Sequence, residues 1–183
     1  MDKTKYYVIG CLVCGAIGMP VLSTVSDTGI AQTAQHEGYK AKPYKDTGGV
    51  VTQGHGSTLR KDGSKIRMTD PPITRKEALN YLHAHINRYT PAFNKSLQNV
   101  QLSQAEYDLY ADFVYQYGIR AWQQSSMLKN LKQGQYVKAC KSLENWRFSR
   151  VGSQKVDCRL DHRCKGVWTR QQTRINKCLE VNL

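Results

Sequence analysis

The sequence predicts an α+β fold, on three observations. A glycine-rich, β-prone stretch lies between Tyr44 and Met68. Two capping-box sequences, Thr74-Arg75-Lys76-Glu77 and Ser103-Gln104-Ala105-Glu106, open helices downstream of it. Helical spacing of apolar residues then runs on towards the C-terminus. Strands in one early region and helices elsewhere make a small β-lobe and a larger helical lobe.

In chain order, Asp27 to His36 reads as a short helix with Ile30 and Ala34 inward, delivering Glu37 at its end. That helix cannot run on to Asp46. Pro43 lacks a donor and fixes its own φ, and Gly48-Gly49 invites a tight turn. An irregular link should follow, then a hairpin. Asp46-Thr47-Gly48-Gly49 supplies the turn chemistry, and Val50-Val51-Thr52 is β-prone. Asp62-Gly63 marks a second turn. The Thr74 box, with Ile73 before it, opens a helix carrying Leu79, Leu82, Ile86 and Tyr89 at helical spacing. His83 and His85 on that helix do not share a face, so solvent-facing or capping roles are expected. The second box is stapled by Leu102 and Tyr107 and opens the run DLYADFVYQY, apolar nearly all round and therefore buried. Gly118 should end it, and Tyr115 and Tyr117 should belong to the core. Tyr136 to Trp146 places Val137, Cys140 and Leu143 on one face.

At 183 residues the chain can bury a core of ordinary size. Its formal net charge is +13, which calls for an anionic partner: nucleic acid, an acidic membrane surface or an anionic cell wall. Charge alone points first to nucleic acid, but no zinc-finger spacing, RNP sequence or basic zipper supports it, so no nucleic acid is expected. Residues 138–177 hold eleven Lys or Arg against three Asp or Glu. The six cysteines are Cys11, Cys14, Cys140, Cys158, Cys164 and Cys178, an even count that suits an oxidising compartment. Their spacing fits no common zinc pattern, and His36-Glu37 lacks a second His four residues after the first. Neither a metal nor another cofactor is expected.

The stretch His36 to Leu59, HEGYKAKPYKDTGGVVTQGHGSTL, organises the chemistry. Glu37, Asp46 and Thr52 are spaced E-x8-D-x5-T. On one helix, at about 100° per residue, Glu37 and Asp46 would lie on opposite faces. On a helix end and a hairpin they can face each other. Two carboxyls in different environments are what glycoside hydrolysis needs, one protonated for the leaving oxygen and one ionised to handle water. The whole string resembles the catalytic segment of the phage-type lysozymes, glycoside hydrolase family 24. HEG matches around Glu37, KPYKD around Asp46 and GVVT around Thr52, and GHG follows. The resemblance covers roughly residues 29 to 180.

What the resemblance implies is specific. The fold would be lysozyme-like, with a cleft between the two lobes. The activity would be hydrolysis of the β-1,4 bond between N-acetylmuramic acid and N-acetylglucosamine in bacterial peptidoglycan, causing host lysis. Glu37 would be the general acid, Asp46 the base or electrostatic partner of water, and Thr52 a residue holding that water. The family's inverting outcome requires carboxyls roughly 6.5–9.5 Å apart. Residues 124–131 look like the family's short helix, with Gly134 as its stop. Lys165-Gly166-Val167-Trp168-Thr169-Arg170 is similar to its G-L-x-x-R-R motif, with Gln171 in place of the second Arg. Arg170 would either buttress the region of Glu37 or lie on the surface. The family's SFxxNxG core-helix motif has Gln116 in place of the Asn. Four cysteines in the body allow three pairings. The family packs together the helices of Cys140 and Cys178, which implies Cys140–Cys178 and leaves Cys158–Cys164 across the loop RLDHR.

Tyr6 to Ser26 is 21 uncharged residues, preceded by Lys3 and Lys5. It is long enough to span a bilayer, and the positive flank puts the N-terminus inside. Gly10, Gly15, Ala16, Gly18, Pro20, Ser23, Thr24 and Ser26 make the span weakly apolar. A cleaved signal peptide, a permanent anchor and a signal-anchor-release segment, which some endolysins of this family use, all fit. The small residues and the missing A-x-A site favour release. The expected organisation is an anchor over residues 1–28 and a muramidase domain over 29–183. The protein would be a monomer, held on the host inner membrane through residues 6–26 and then free in the periplasm. Two other readings stand beside it: a wall-binding relative without catalysis, and a basic nucleic-acid-binding protein.

Overall fold

A computed structural model describes residues 6–8, 22–46 and 49–183. The described chain divides into two compact units, one Ser23–Phe93, the other Asn94–Leu183 together with the N-terminal strand Tyr6–Val8.

In the unit Ser23–Phe93, helix α1 spans Asp27–Glu37. Ser26 caps it, accepting from the Gly29 N–H, and satisfies one of the donors that a helix start leaves over. Val25, Ile30 and Ala34 are buried. Gly38 ends the helix at φ +70, a conformation that glycine takes without a steric penalty. Strand β2, Lys40–Lys45, pairs antiparallel with β3, Val51–Gly54. The strand therefore begins at Lys40, four residues before the β-prone stretch read from composition. Past Gly54 only the isolated bridges Gln53–Ser57 and Leu59–Lys65 continue the β structure. Helix α2, Arg75–Ser96, opens with the Thr74–Glu77 capping box: Glu77 accepts from the Thr74 N–H at 2.8 Å, and Thr74 accepts from the Glu77 N–H at 3.2 Å. Its buried stripe is Ala78, Leu82, Ile86 and Phe93, while Leu79 is exposed.

In the other unit, β1, Tyr6–Val8, pairs antiparallel with β4, Val100–Leu102, with Tyr7 opposite Gln101. Helix α3, Gln104–Tyr117, carries the second capping box complete, and Tyr107, Tyr110, Phe113 and Val114 are almost fully buried on it. Short helices α4 (Ile119–Gln123), α5 (Ser126–Lys132) and α6 (Tyr136–Ser142) follow. The helix expected over 136–146 breaks at Ser142 into a 3-10 turn, Leu143–Trp146. The hairpin of β5, Phe148–Val151, and β6, Gln154–Asp157, had no counterpart in the sequence reading. Helix α7 spans Lys165–Glu180. The aromatic core centres on Trp122, which stacks 5.0 Å from Tyr110, and on Phe113, edge-on to Trp146 at 4.7 Å. Disulfides join Cys140 to Cys178 and Cys158 to Cys164. The first closes a 38-residue separation, worth about 4 kcal/mol in the chain-entropy account.

Arg170 does not lie on the surface. It is buried and pairs with Asp112 at 2.7 Å, beside Arg174 at 2.6 Å on the same carboxylate. Gln116 joins this network, and Gln171 bonds the neighbouring Tyr117. Gln116 accepts from Arg174 at 2.8 Å, and Gln171 donates to the Tyr117 hydroxyl at 2.8 Å. Burial works to raise the Asp112 pKa from its ordinary 3.8, but Arg174 and Arg170 outweigh it and hold the carboxyl at about 2. The folded value lies below the unfolded one, so this contribution is complete above about pH 4 and is lost as pH falls towards 2. Asp112→Asn leaves two buried guanidinium groups without their anion. We expect it to lose roughly 3–5 kcal/mol in urea unfolding at pH 7, with the gap to wild type narrowing from pH 4 to pH 2.

Candidate active site

The unit Ser23–Phe93 brings the expected acid, base and hydroxyl onto neighbouring elements. Glu37 is the last residue of α1 and is half-buried. Asp46 follows β2 directly and is exposed, and Thr52 lies on β3 and is buried. Asp46 closes the hairpin with its own backbone and side chain: its N–H donates to Val50 O at 2.9 Å, and its Oδ1 accepts from the Val50 N–H at 2.8 Å. This fixes the carboxylate against the turn. Thr52 uses its hydroxyl hydrogen on Val50 O at 2.9 Å, so its oxygen can still accept from a water.

Tyr44 sits directly opposite Thr52 in the hairpin. Burial raises its phenol pKa, and the charges of Asp46 and Glu37 add to that, which places the ring in the field of both carboxylates. Lys40 lies over the same ring, 3.9 Å from its centre. On α2, His85 is half-buried. Burial pushes its imidazole below the usual value, Arg88 adds to this, and the charge of Glu37 acts the other way. His85 does not take the solvent-facing or capping role expected of it: the residue lies in the middle of α2 and is half-buried. Neither Tyr44 nor His85 is singled out by the sequence as a site residue, since a tyrosine in a strand and a histidine on a helix are ordinary. Their shared proximity to Glu37 arises only on folding.

Buried side chains hold this arrangement from behind. The His55 ring nitrogen Nδ1 donates to the carbonyl of Gly38, the residue after Glu37, and the ring packs 5.7 Å from Tyr39. Because a carbonyl only accepts, Nδ1 carries the hydrogen. Gln53 Nε2 donates to Ala41 O at 2.7 Å and to Pro71 O at 2.8 Å. The Tyr39 hydroxyl donates to Ile73 O. Gly54 lies so near α2 that an added Cβ would meet Ala78 Cβ at 2.9 Å, and its φ is +68. Both glycines of GHG take a left-handed backbone, Gly56 at φ +79, and Gly54 alone of the two adds this close approach. Behind α1, a cavity of about 490 Å³ is lined by Ala31, Ala34, Tyr39, His55 and Leu79. Among the described residues, no three His, Cys, Asp or Glu gather so as to hold a metal ion.

The phage lysozyme family matches residues 34–171, and the chain belongs to it. The match includes Glu37, Asp46 and Thr52 and reaches into α7. The chain is 27% identical over 132 residues to an endolysin of Acyrthosiphon pisum secondary endosymbiont phage 1, covering 72% of this chain and 86% of that one. It is 27% identical over 162 residues to a SAR-endolysin of bacteriophage PS119, covering 88% and 87%. Among solved structures it is similar to an endolysin from Escherichia coli O157:H7 phage FAHEc1, with a TM-score of 0.74 and 28% identity over 85% of this chain and 93% of that one. The fold is that of a lysozyme, as the sequence predicts.

His55→Ala removes the donor to Gly38 O without adding bulk. We expect kcat on peptidoglycan to fall about tenfold or more, since small displacements of an acid are costly, with KM little changed. Gly54→Ala should instead lower thermal stability through both the backbone conformation and the contact with Ala78. Circular dichroism melts beside the kinetics separate the two effects.

Proposed function

We propose that this chain is a phage endolysin that hydrolyses the β-1,4 bond between N-acetylmuramic acid and N-acetylglucosamine, with Glu37 as general acid. The observation that carries the reading is the placement of Glu37 at a helix end and of Asp46 and Thr52 on the adjoining hairpin, inside the matched segment. Glu37 protonates the bridging oxygen as its bond to the anomeric carbon breaks, so the leaving sugar departs as a neutral alcohol. Asp46 takes a proton from water, whose oxygen forms the new bond on the opposite face of the sugar and inverts the anomeric centre. Thr52 orients that water by accepting one of its hydrogens.

Glu37→Gln keeps the shape of the side chain but has no proton to give. We expect it to fold normally, with an unchanged melt, and to lose nearly all lysis of purified peptidoglycan. Asp46→Asn should be impaired to a smaller extent. Lysis by Glu37→Gln at close to the wild-type rate would remove the acid from this mechanism.

The membrane part of the reading is release of the 6–26 stretch from the host inner membrane into the periplasm as an uncleaved monomer, with residues 1–28 acting as the anchor. The likeness to SAR-endolysins supports it. So do the ends of the stretch. Tyr6–Val8 runs as a strand against β4, Val25 is buried in the unit of Glu37, and Ser26 caps α1. Those residues cannot make these contacts and lie in a bilayer at the same time. Residues 9–21, including Cys11 and Cys14, lie outside the described residues. Among the described residues no helix is long and apolar enough to cross a membrane. With Cys11 and Cys14 changed to Ser, the pair Tyr7→Cys and Gln101→Cys should cross-link in the soluble fraction and not in the membrane fraction. N-terminal sequencing of a soluble form that begins near Thr24 would replace release by cleavage.

A further inference from the structure

The hairpin β5–β6 and the disulfide loop after it form a surface that the hydrolytic reading leaves without a role. Alternation along the strands turns Phe148, Arg150 and Lys155 outward, while Ser149, Val151 and Val156 are half-buried on the other side. Phe148 is 38% exposed, with the Arg147 guanidinium 4.6 Å and the Lys155 ammonium 4.8 Å from its ring centre. Asp157, opposite Phe148 in the ladder, pairs with both Arg147 and Arg159, which ties the hairpin to the next loop. There Cys158–Cys164 staples a turn in which Leu160 stands 87% exposed. Asp157 O accepts from the Leu160 N–H, and Arg163 pairs with Asp161. A covalently held loop thus keeps an aliphatic side chain in water, at an entropic advantage for any contact it makes. Residues 147–165 carry six Lys or Arg against two Asp. Both aspartates are engaged by arginines, so the charge left over around the two exposed apolar side chains is cationic.

We propose that this stapled hairpin is a docking surface for an anionic phospholipid membrane, entered by Leu160 and Phe148 and held by the cations around them. The combination decides the class of partner. Arg and Lys near an anionic leaflet attract it electrostatically, and an apolar tip gains by leaving water at the acyl boundary. An anionic sugar polymer would use the cations and the Phe148 ring but would leave Leu160 in water. The surface belongs to the body of the protein and does not depend on residues 6–26 for its chemistry.

Hydrogen exchange on the full chain, with and without phosphatidylglycerol vesicles, isolates this surface from the N-terminal stretch because it reads amides one region at a time. Amides of residues 148–163 should slow in the presence of those vesicles and not with phosphatidylcholine vesicles. Leu160→Ser with Phe148→Ser should abolish that slowing, and cleavage of soluble wall fragments should stay unchanged. Arg150→Gln and Lys155→Gln should each weaken vesicle binding by roughly fivefold. Unchanged exchange at 148–163 overturns the proposal, as does equal slowing with both lipids. Slowing by purified peptidoglycan but not by vesicles assigns the surface to the wall and also overturns it.

Discussion

The candidate site depends on buried and half-buried side chains that bond backbone carbonyls. The link from α1 through the hairpin to α2 is too irregular to satisfy its own backbone groups, and side chains supply the missing donors. His55 answers Gly38, Gln53 answers Ala41 and Pro71, and Tyr39 answers Ile73. These bonds run across the segment that carries Glu37 and Asp46. They turn a flexible, glycine-rich stretch into a rigid mount for two carboxyls, as catalysis by positioned acid and base requires.

The other unit solves a different problem with a different device. Helix α3 is apolar on nearly every side, yet it carries Asp112 inward. Two arginines from α7 meet that carboxylate, and Gln116 accepts from one of them. Of the two glutamines, Gln116 serves the ion cluster and Gln171 ties α7 to Tyr117 at the end of α3. An ion group of this kind stabilises less than well-packed apolar residues would, but it tolerates no missing partner and so fixes how α7 lies on α3. The Cys140–Cys178 bridge adds a covalent tie from α7 to α6.

Much of the element order could be read from local signals. Both capping boxes form as written, Ile30 and Ala34 face inward, and the turn after Asp46 opens a hairpin. Capping, turn chemistry and amphipathic spacing are properties of a few neighbouring residues, so they survive without knowledge of the fold. The β5–β6 hairpin escaped because Phe148–Asp157 is short, polar and broken by Gly152, with little alternation of apolar residues to announce it. The burial of Arg170 is not legible in the sequence for a related reason. Its partner Asp112 is 58 residues away, and only an assembled pair makes a buried arginine acceptable.

The sequence by itself determined the family, the glycosidase chemistry and the three residues proposed to carry it, because E-x8-D-x5-T is a linear pattern set among diagnostic neighbours. Tertiary structure alone decided what surrounds those residues. Tyr44 and His85 enter the field of Glu37 from a strand and from a helix, and His55 reaches Gly38 across 17 residues. Field strength and hydrogen bonding depend on distance in space, which the order of residues along a chain does not contain.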